Sequence, residues 1–300
     1  MSDATEQELI DRPDRGQAAV MHRYHGRRAV LSTKHHKLAL IGPNLQRHVG
    51  LVVDAVPVDT DRLGTFTGDK ARSGSAWETA VAKARLGMNA AGVRLGLASE
   101  GSIGPPPGVA FVLAARELVV LVDDERGLVV GESAIGYDII TIAADVAPGD
   151  DIERLLQRGA FPEHGMIVRP AAGPPAPLHK GIHDRSGLDD AIRACAAVSP
   201  DGRAHIETDL RAHHCPSRRP TIAAAAHRLA QRLAALCPMC ATPGWGVVRV
   251  ELGVPCQHCR RPVQLPSADV FGCAACTFEQ TLTRPESRGA DPGRCSWCNP

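Results

Sequence analysis

The stretch RAVLSTKHHKLALIGPNLQRHVGLVVDAV, residues 28–56, decides the fold. Its first five residues form a short apolar run of strand character. Residues 38–48 then repeat apolar side chains at helical spacing up to Gly50, and LVVDAV at 51–56 reads as a second strand. Strand, polar loop, helix and strand in that order open an α/β unit. The loop STKHHK raises a question of its own. It holds Lys34 and Lys37, two of the five lysines in a chain whose Lys and Arg total 34, so arginine has replaced lysine nearly everywhere else.

The alternation continues outward from this unit. A polar, glycine-rich loop at 59–75 leads to Ser75, a helix cap for WETAVAKARLGMNAAG. The strand VRLGLAS delivers Glu100 into EGSIGPPPG, and RELVVLVD and GLVVGE form a hairpin about Asp124, Glu125 and Arg126. YDIITIAAD, a helix near 150–159, GMIVRP, a helix near 187–198, AHIETD and a long helix at 221–236 complete the series. This pattern predicts an α/β fold, a mixed sheet flanked by helices, over residues 23–236.

Composition excludes several classes. The 300 residues are 44% hydrophobic and 22% charged, with a formal net charge of +1, so there is no long-range basic field for nucleic acid. The apolar run at 118–122 stops far short of the ~18 residues that a membrane span needs. The first 22 residues, MSDATEQELIDRPDRGQAAVMH, lack the apolar core of a signal peptide and read as a flexible N-terminal segment. The expected compartment is the cytoplasm, where structural disulfides are not expected among the ten cysteines.

Eight of those cysteines fall in four C-x-x-C pairs, Cys237 with Cys240, Cys256 with Cys259, Cys273 with Cys276 and Cys295 with Cys298. Each pair sets two thiolates on one side of a tight knuckle, and two knuckles close a tetrahedral Zn²⁺ site with no open position. The expectation is a C-terminal pair of structural zinc ribbons over 237–300. The intervals within successive pairs suit hairpin arms, so the favoured pairing joins knuckle one with two and three with four; an interleaved arrangement is the alternative. The tail carries six arginines, five acids and no lysine, too little positive charge for phosphate-backbone binding. A docking role toward the body or a protein partner suits it at least as well. Trp245, Phe271, Phe278 and Trp297 are read as knuckle packing ahead of base stacking.

In α/β sheets the loops at strand carboxyl ends line the ligand crevice. STKHHK leaves a strand and opens a helix, where backbone N–H groups favour an anion and lysine serves as a mobile point charge. Arg211, Arg218 and Arg219 in DLRAHHCPSRRP form a second cationic group, with Ser217 as a candidate helix cap and Cys215 as an ordinary loop cysteine rather than a nucleophile. Asp59, Asp61, Glu78 and Glu100 are the acids placed to hold Mg²⁺ or to activate water. Together these groups suggest a phosphate-containing ligand.

Two resemblances follow from these segments. Through STKHHK, DTDRLGTFTG, ASEGSIGPPP, IETDLRA and the terminal C-x-x-C pairs, the whole chain resembles an uncharacterised bacterial family, a domain of unknown function. The first hundred residues are similar to the inosine triphosphate pyrophosphatase superfamily, whose members hydrolyse damaged purine nucleoside triphosphates. Thr33 and Lys37 match its T-x-x-x-K loop, SAWETAVAKA its F-x-E-N-A-x-x-K-A helix, and ASEGS its acidic A-D-D-S-G turn. That likeness implies a Mg²⁺-dependent hydrolase of a nucleotide or other phosphorylated small molecule. Glu78 and Glu100 would organise Mg²⁺ and water, while Thr33, Lys37, Lys83, Arg211 and Arg218 would hold the ligand. The chain departs from the pattern where Thr79 replaces an Asn and Glu100 stands alone for a double acid. The alternative reading is a non-enzymatic zinc-ribbon adaptor or ligand sensor; nucleic-acid binding through the ribbons ranks behind both.

Overall fold

The computed structural model describes residues 21–33, 37–59, 74–106, 109 and 111–300. Lys34, Asp61, Lys70 and nearly all of the 1–22 segment lie outside them. Strand β1 (Arg28–Ser32) leads into helix α1 (Leu38–Val49), which ends at Gly50 in the left-handed conformation, φ 68°. Strand β2 (Val52–Val56), helix α2 (Ala76–Ala91) and strands β3 (Leu95–Gly104), β4 (Ala114–Asp123) and β5 (Leu128–Gly136) follow. They build a five-stranded mixed sheet in the order β2-β1-β3-β4-β5. β1 runs parallel to β2 and β3, and β3, β4 and β5 form an antiparallel meander. β3 continues past the expected end of VRLGLAS because all of 95–104 pairs with β4.

A second, wholly antiparallel sheet takes the order β6-β9-β7-β8, from β6 (Ala143–Val146), β7 (Met166–Pro170), β8 (His179–Ile182) and β9 (Ala204–Thr208). Helices α3 (Glu153–Arg158) and α4 (Arg185–Val198) accompany it, and Leu156, Leu188, Ile192 and Cys195 fill its core. The strand expected from YDIITIAAD is shortened to its last part. Upstream of it, side-chain oxygens capture the backbone amides: Ile140 donates to Ser217 Oγ at 3.2 Å and Ile142 to Thr208 Oγ1 at 2.9 Å. β8 carries no apolar alternation and escaped the sequence pattern, as an edge strand can.

Helix α5 (Arg219–Ala234) returns to the first sheet. With α1 it covers one face, burying Leu31, Leu45, Leu97, Val119, Leu121, Ile222 and Leu229; α2 covers the other against Val30, Ala98, Val120 and Val122. Alternation along β3 therefore divides its side chains. Leu95 and Leu97 face α1 and α5, as Ser99 and Gly101 must, whereas Ala98 and Glu100 face α2. After α5 comes a three-stranded sheet of β10 (Gly246–Pro255), β11 (Pro262–Gly272) and β12 (Glu279–Thr283). No helix among the described residues is long and apolar enough to cross a membrane.

Candidate functional site

The eight tail cysteines gather into two clusters, and their pairing corrects the expectation. Cys237 and Cys240 meet Cys273 and Cys276, while Cys256 and Cys259 meet Cys295 and Cys298, so the knuckles interleave. The reason lies in β10. The first interval is not a hairpin arm within one ribbon but a single ten-residue strand, which carries the chain about 33 Å from the first knuckle to the second. β11 then returns, and the Gly246–Gly272 register sets the third knuckle beside the first; the last segment delivers the fourth to the second.

The donor set fits zinc. Sγ–Sγ distances are 3.8 Å for Cys237–Cys276, 3.5 Å for Cys240–Cys273, 3.9 Å for Cys256–Cys298 and 3.6 Å for Cys259–Cys295. A tetrahedron with Zn–S of about 2.3 Å has S–S edges of about 3.8 Å, whereas a disulfide would need about 2.05 Å. The Ala275 and Cys276 amides donate to Cys273 Sγ at 3.3 and 3.4 Å, the contacts that steady a thiolate. Hydrogen bonds with Thr242 pull the Cys240 thiol down to about 6, and those with the Cys298 and Trp297 backbone pull Cys295 to about 7, while bonds to their neighbouring thiols leave Cys276 and Cys298 raised to about 12, so each cluster without its metal holds one readily ionised thiol and one that keeps its proton. Both leading knuckles turn alike: Ala241 donates to the Cys237 carbonyl at φ 53°, and Arg260 to the Cys256 carbonyl at φ 63°. All of this describes four-thiolate sites without an open position, which supply structure rather than catalysis.

The first cluster is fixed to the body. Arg232 on α5 donates from Nε to the Gly244 carbonyl at 3.1 Å and pairs through Nη1 with Glu132 of β5 at 2.8 Å. Gly244, at φ 104°, lies so close to β5 that a Cβ would come within 2.8 Å of Val130. Ala274 packs on the main core. Trp245 stacks with Phe278 and Phe271 at centroid distances of 5.5 and 6.2 Å, and the Arg261 guanidinium lies 3.5 Å over the Trp297 ring, so these aromatics pack the knuckles.

The second feature is a charge cluster where β1 ends beside the middle of β3. Lys37 is buried at the start of α1, and its Nζ donates to Ser99 Oγ at 2.8 Å. Burial lowers its ammonium to about 8, with Glu117, Arg218, Glu100 and Lys83 as its charged neighbours. Among the described residues no carboxylate pairs with Lys37. On the α2 face Lys83 Nζ reaches Glu100 Oε1 at 2.5 Å. On the other face the buried Arg218 binds Glu117 of β4, Nε to Oε1 at 2.7 Å, and donates through Nη1 to the Leu210 carbonyl. Gly101 makes this possible, since a Cβ there would lie 2.1 Å from Arg218 Nη2 and 2.6 Å from Glu117 Oε2.

The other expected residues are occupied differently. Glu78 closes a capping box: its own amide donates to Ser75 Oγ, and its Oε2 accepts from the Ser75 amide and from the Ser75 hydroxyl, each at 2.9 Å, two bonds that hold its carboxyl below the usual range. Arg211 clasps the buried Asp209 beside the Gly181 amide; burial would push that carboxyl up, but the Arg211 bonds hold it down. Thr33 follows β1, with its amide on the Val56 carbonyl at 3.4 Å. Ser217 does not cap α5; it bonds to His164 Nε2 at 3.0 Å. Cys215 is buried, which pushes its thiol up. Sequence reasoning missed Ser99 and Glu117. An acid on the inward-facing positions of the apolar run RELVVLVD was the available signal for Glu117.

Fold and sites together define an α/β protein whose C-terminal ribbons carry two four-cysteine clusters fit for structural zinc. The chain belongs to the family described as a domain of unknown function, DUF6671, whose model matches residues 83–300. No curated protein and no solved structure matches it.

Proposed function

We propose that the chain is a non-enzymatic adaptor that senses a phosphorylated small molecule, of which a nucleotide is the leading example. The body, 23–236, would hold the ligand, and the ribbons, 237–300, would present a rigid surface to a protein partner. One observation carries this reading: the buried Lys37 ammonium has a neutral hydroxyl as its hydrogen-bond acceptor. An unpaired buried charge is costly, and an arriving phosphate would relieve that cost. Among the described residues, three cations, Lys37, Lys83 and Arg218, stand beside two carboxylates, Glu100 and Glu117, a balance that suits an anion. The helix end supports it, since Lys37, at the N-cap of α1, makes no side-chain cap bond among the described residues. Glu117 Oε2 is buried and accepts no hydrogen bond among the described residues, which suits a ligand that also carries a hydroxyl, as a sugar phosphate does.

The second reading is Mg²⁺-dependent hydrolysis, and its support is the motif likeness around Lys37, Lys83, Glu78 and Glu100. It ranks second because Glu100 meets Lys83 and Glu78 serves its own helix cap. Calorimetric binding and pyrophosphate or phosphate release, measured across a nucleotide and sugar-phosphate panel with and without Mg²⁺, separate the two. Binding that needs no metal and gives no turnover is the expected result. Metal-dependent turnover lost on Glu100→Gln would move hydrolysis to first place, and failure of every phosphorylated compound to bind would end the ligand reading. Binding to DNA or RNA that weakens steeply with salt would favour nucleic acid instead.

A further inference from the structure

The outer strand of the ribbon sheet is unused by the ligand reading. β10 pairs with β11 on one side, and among the described residues no strand pairs with its other edge. Val248, Val250 and Leu252 are 45, 42 and 54% exposed along it. An exposed strand of this kind offers unpaired backbone groups and apolar side chains to another strand. Bulges flank its middle, but Arg249, Val250 and Glu251 are regular, opposite Val270, Asp269 and Ala268.

The segment Val248-Arg249-Val250-Glu251-Leu252 is complementary to itself. Laid antiparallel on a second copy with Val250 opposite Val250, it sets Arg249 against Glu251 twice and Val248 against Leu252 twice. Directly opposed side chains in a regular pair lie about 4.5 to 5.5 Å apart at Cβ, close enough for the two charge pairs, which fall in the regular stretch; Val248 and Leu252 stand at the bulges that flank it. This is the pattern a two-fold, isologous contact requires. Arg249 holds Glu279 of its own chain through Nη1 alone, so Nε and Nη2 remain to face the opposing carboxylate.

We propose that two copies of this chain associate through β10, joining their ribbon sheets across a two-fold axis at Val250. The proposal goes beyond the ligand reading and does not rest on it, because its test reads mass, not binding of a phosphorylated compound.

The experiment is light scattering and sedimentation of the zinc-loaded full chain from about 1 to about 200 µM, since self-association depends on concentration. The mass should rise from 31.8 kDa toward twice that value. Glu251→Arg sets arginine against arginine and should weaken the dimer at least about tenfold, and Arg249→Glu combined with Glu251→Arg should restore it, with Glu279→Arg added so that residue 249 keeps an opposite charge within its own chain. Val250→Asp, which places two carboxylates face to face on the axis, should also give a monomer. Zinc content is read for each variant, and only variants with unchanged content are scored. A wild type that stays monomeric, a dimer indifferent to both Glu251→Arg and Val250→Asp, or a charge swap that fails to restore it would each overturn the proposal.

Discussion

Under the proposed ligand reading, Lys37 sets stability against binding in one side chain. With its ammonium lowered to about 8 against an ordinary value near 10.5, the folded protein binds fewer protons than the unfolded chain between those pH values. Stability from this group therefore rises with pH through that window, and the cost of burying the charge is fully present below about pH 8. Lys37→Met should raise stability at pH 7 by about 1 to 3 kcal/mol in chemical denaturation while abolishing binding of a phosphorylated ligand. In the wild type, that affinity should fall as pH rises through about 8, and Lys37→Arg should flatten the fall because guanidinium keeps its proton. A second prediction concerns the glycine beside it. Gly101→Ala pushes a methyl into the Arg218 guanidinium and should cost about 3 to 5 kcal/mol, the penalty for parting a buried ion pair, read by thermal unfolding. Lysine retention in an arginine-rich chain pointed to Lys37 from the sequence alone. Its surroundings were less legible, because Ser99, its hydrogen-bond partner, and Glu117, a charged neighbour, come from strands whose register, not whose local pattern, brings them there.

At the scale of elements, what the sequence made plain was what short-range physics controls. The β1-α1-β2 unit, the Ser75 cap and the 124–126 hairpin all appear where apolar period and turn chemistry put them. The knuckle pairing was hidden because it depends on where a strand ends in space, and spacing along the chain carries no such information. A metal count tests it directly. Cys240→Ser with Cys276→Ser removes two ligands of one cluster and should leave one Zn²⁺ per chain by elemental analysis; Cys240→Ser with Cys256→Ser should leave none. The knuckle turns offer a milder change. Ala241 holds a left-handed conformation that an L side chain resists, so Ala241→Gly should tighten the first ribbon by about 0.5 to 1 kcal/mol, measured as slower zinc release to a chelator.

Across the whole molecule the two clusters are unequal, because among the described residues the first is continuous with the main core and the second is not. Ala274, from the knuckle loop between Cys273 and Cys276, packs against the residues that α1, α5 and the five-stranded sheet bury, and Arg232 ties Gly244 to Glu132. The second cluster instead packs with Val254, Val263 and Ala290 inside the ribbon. Metal binding is folding free energy for a module with so little apolar surface, so loss of either zinc should loosen its own end of the ribbon. The consequences for the body should differ. Cys273→Ser frees the knuckle beside Val130 and uncovers part of the core, and the thermal unfolding of the α/β body should fall by several degrees. Cys295→Ser should leave that transition within about a degree of wild type while making residues beyond β11 sensitive to protease. Calorimetry with limited proteolysis reads both. Equal shifts of the body transition in the two variants would mean that the ribbons act as one cooperative unit with the body.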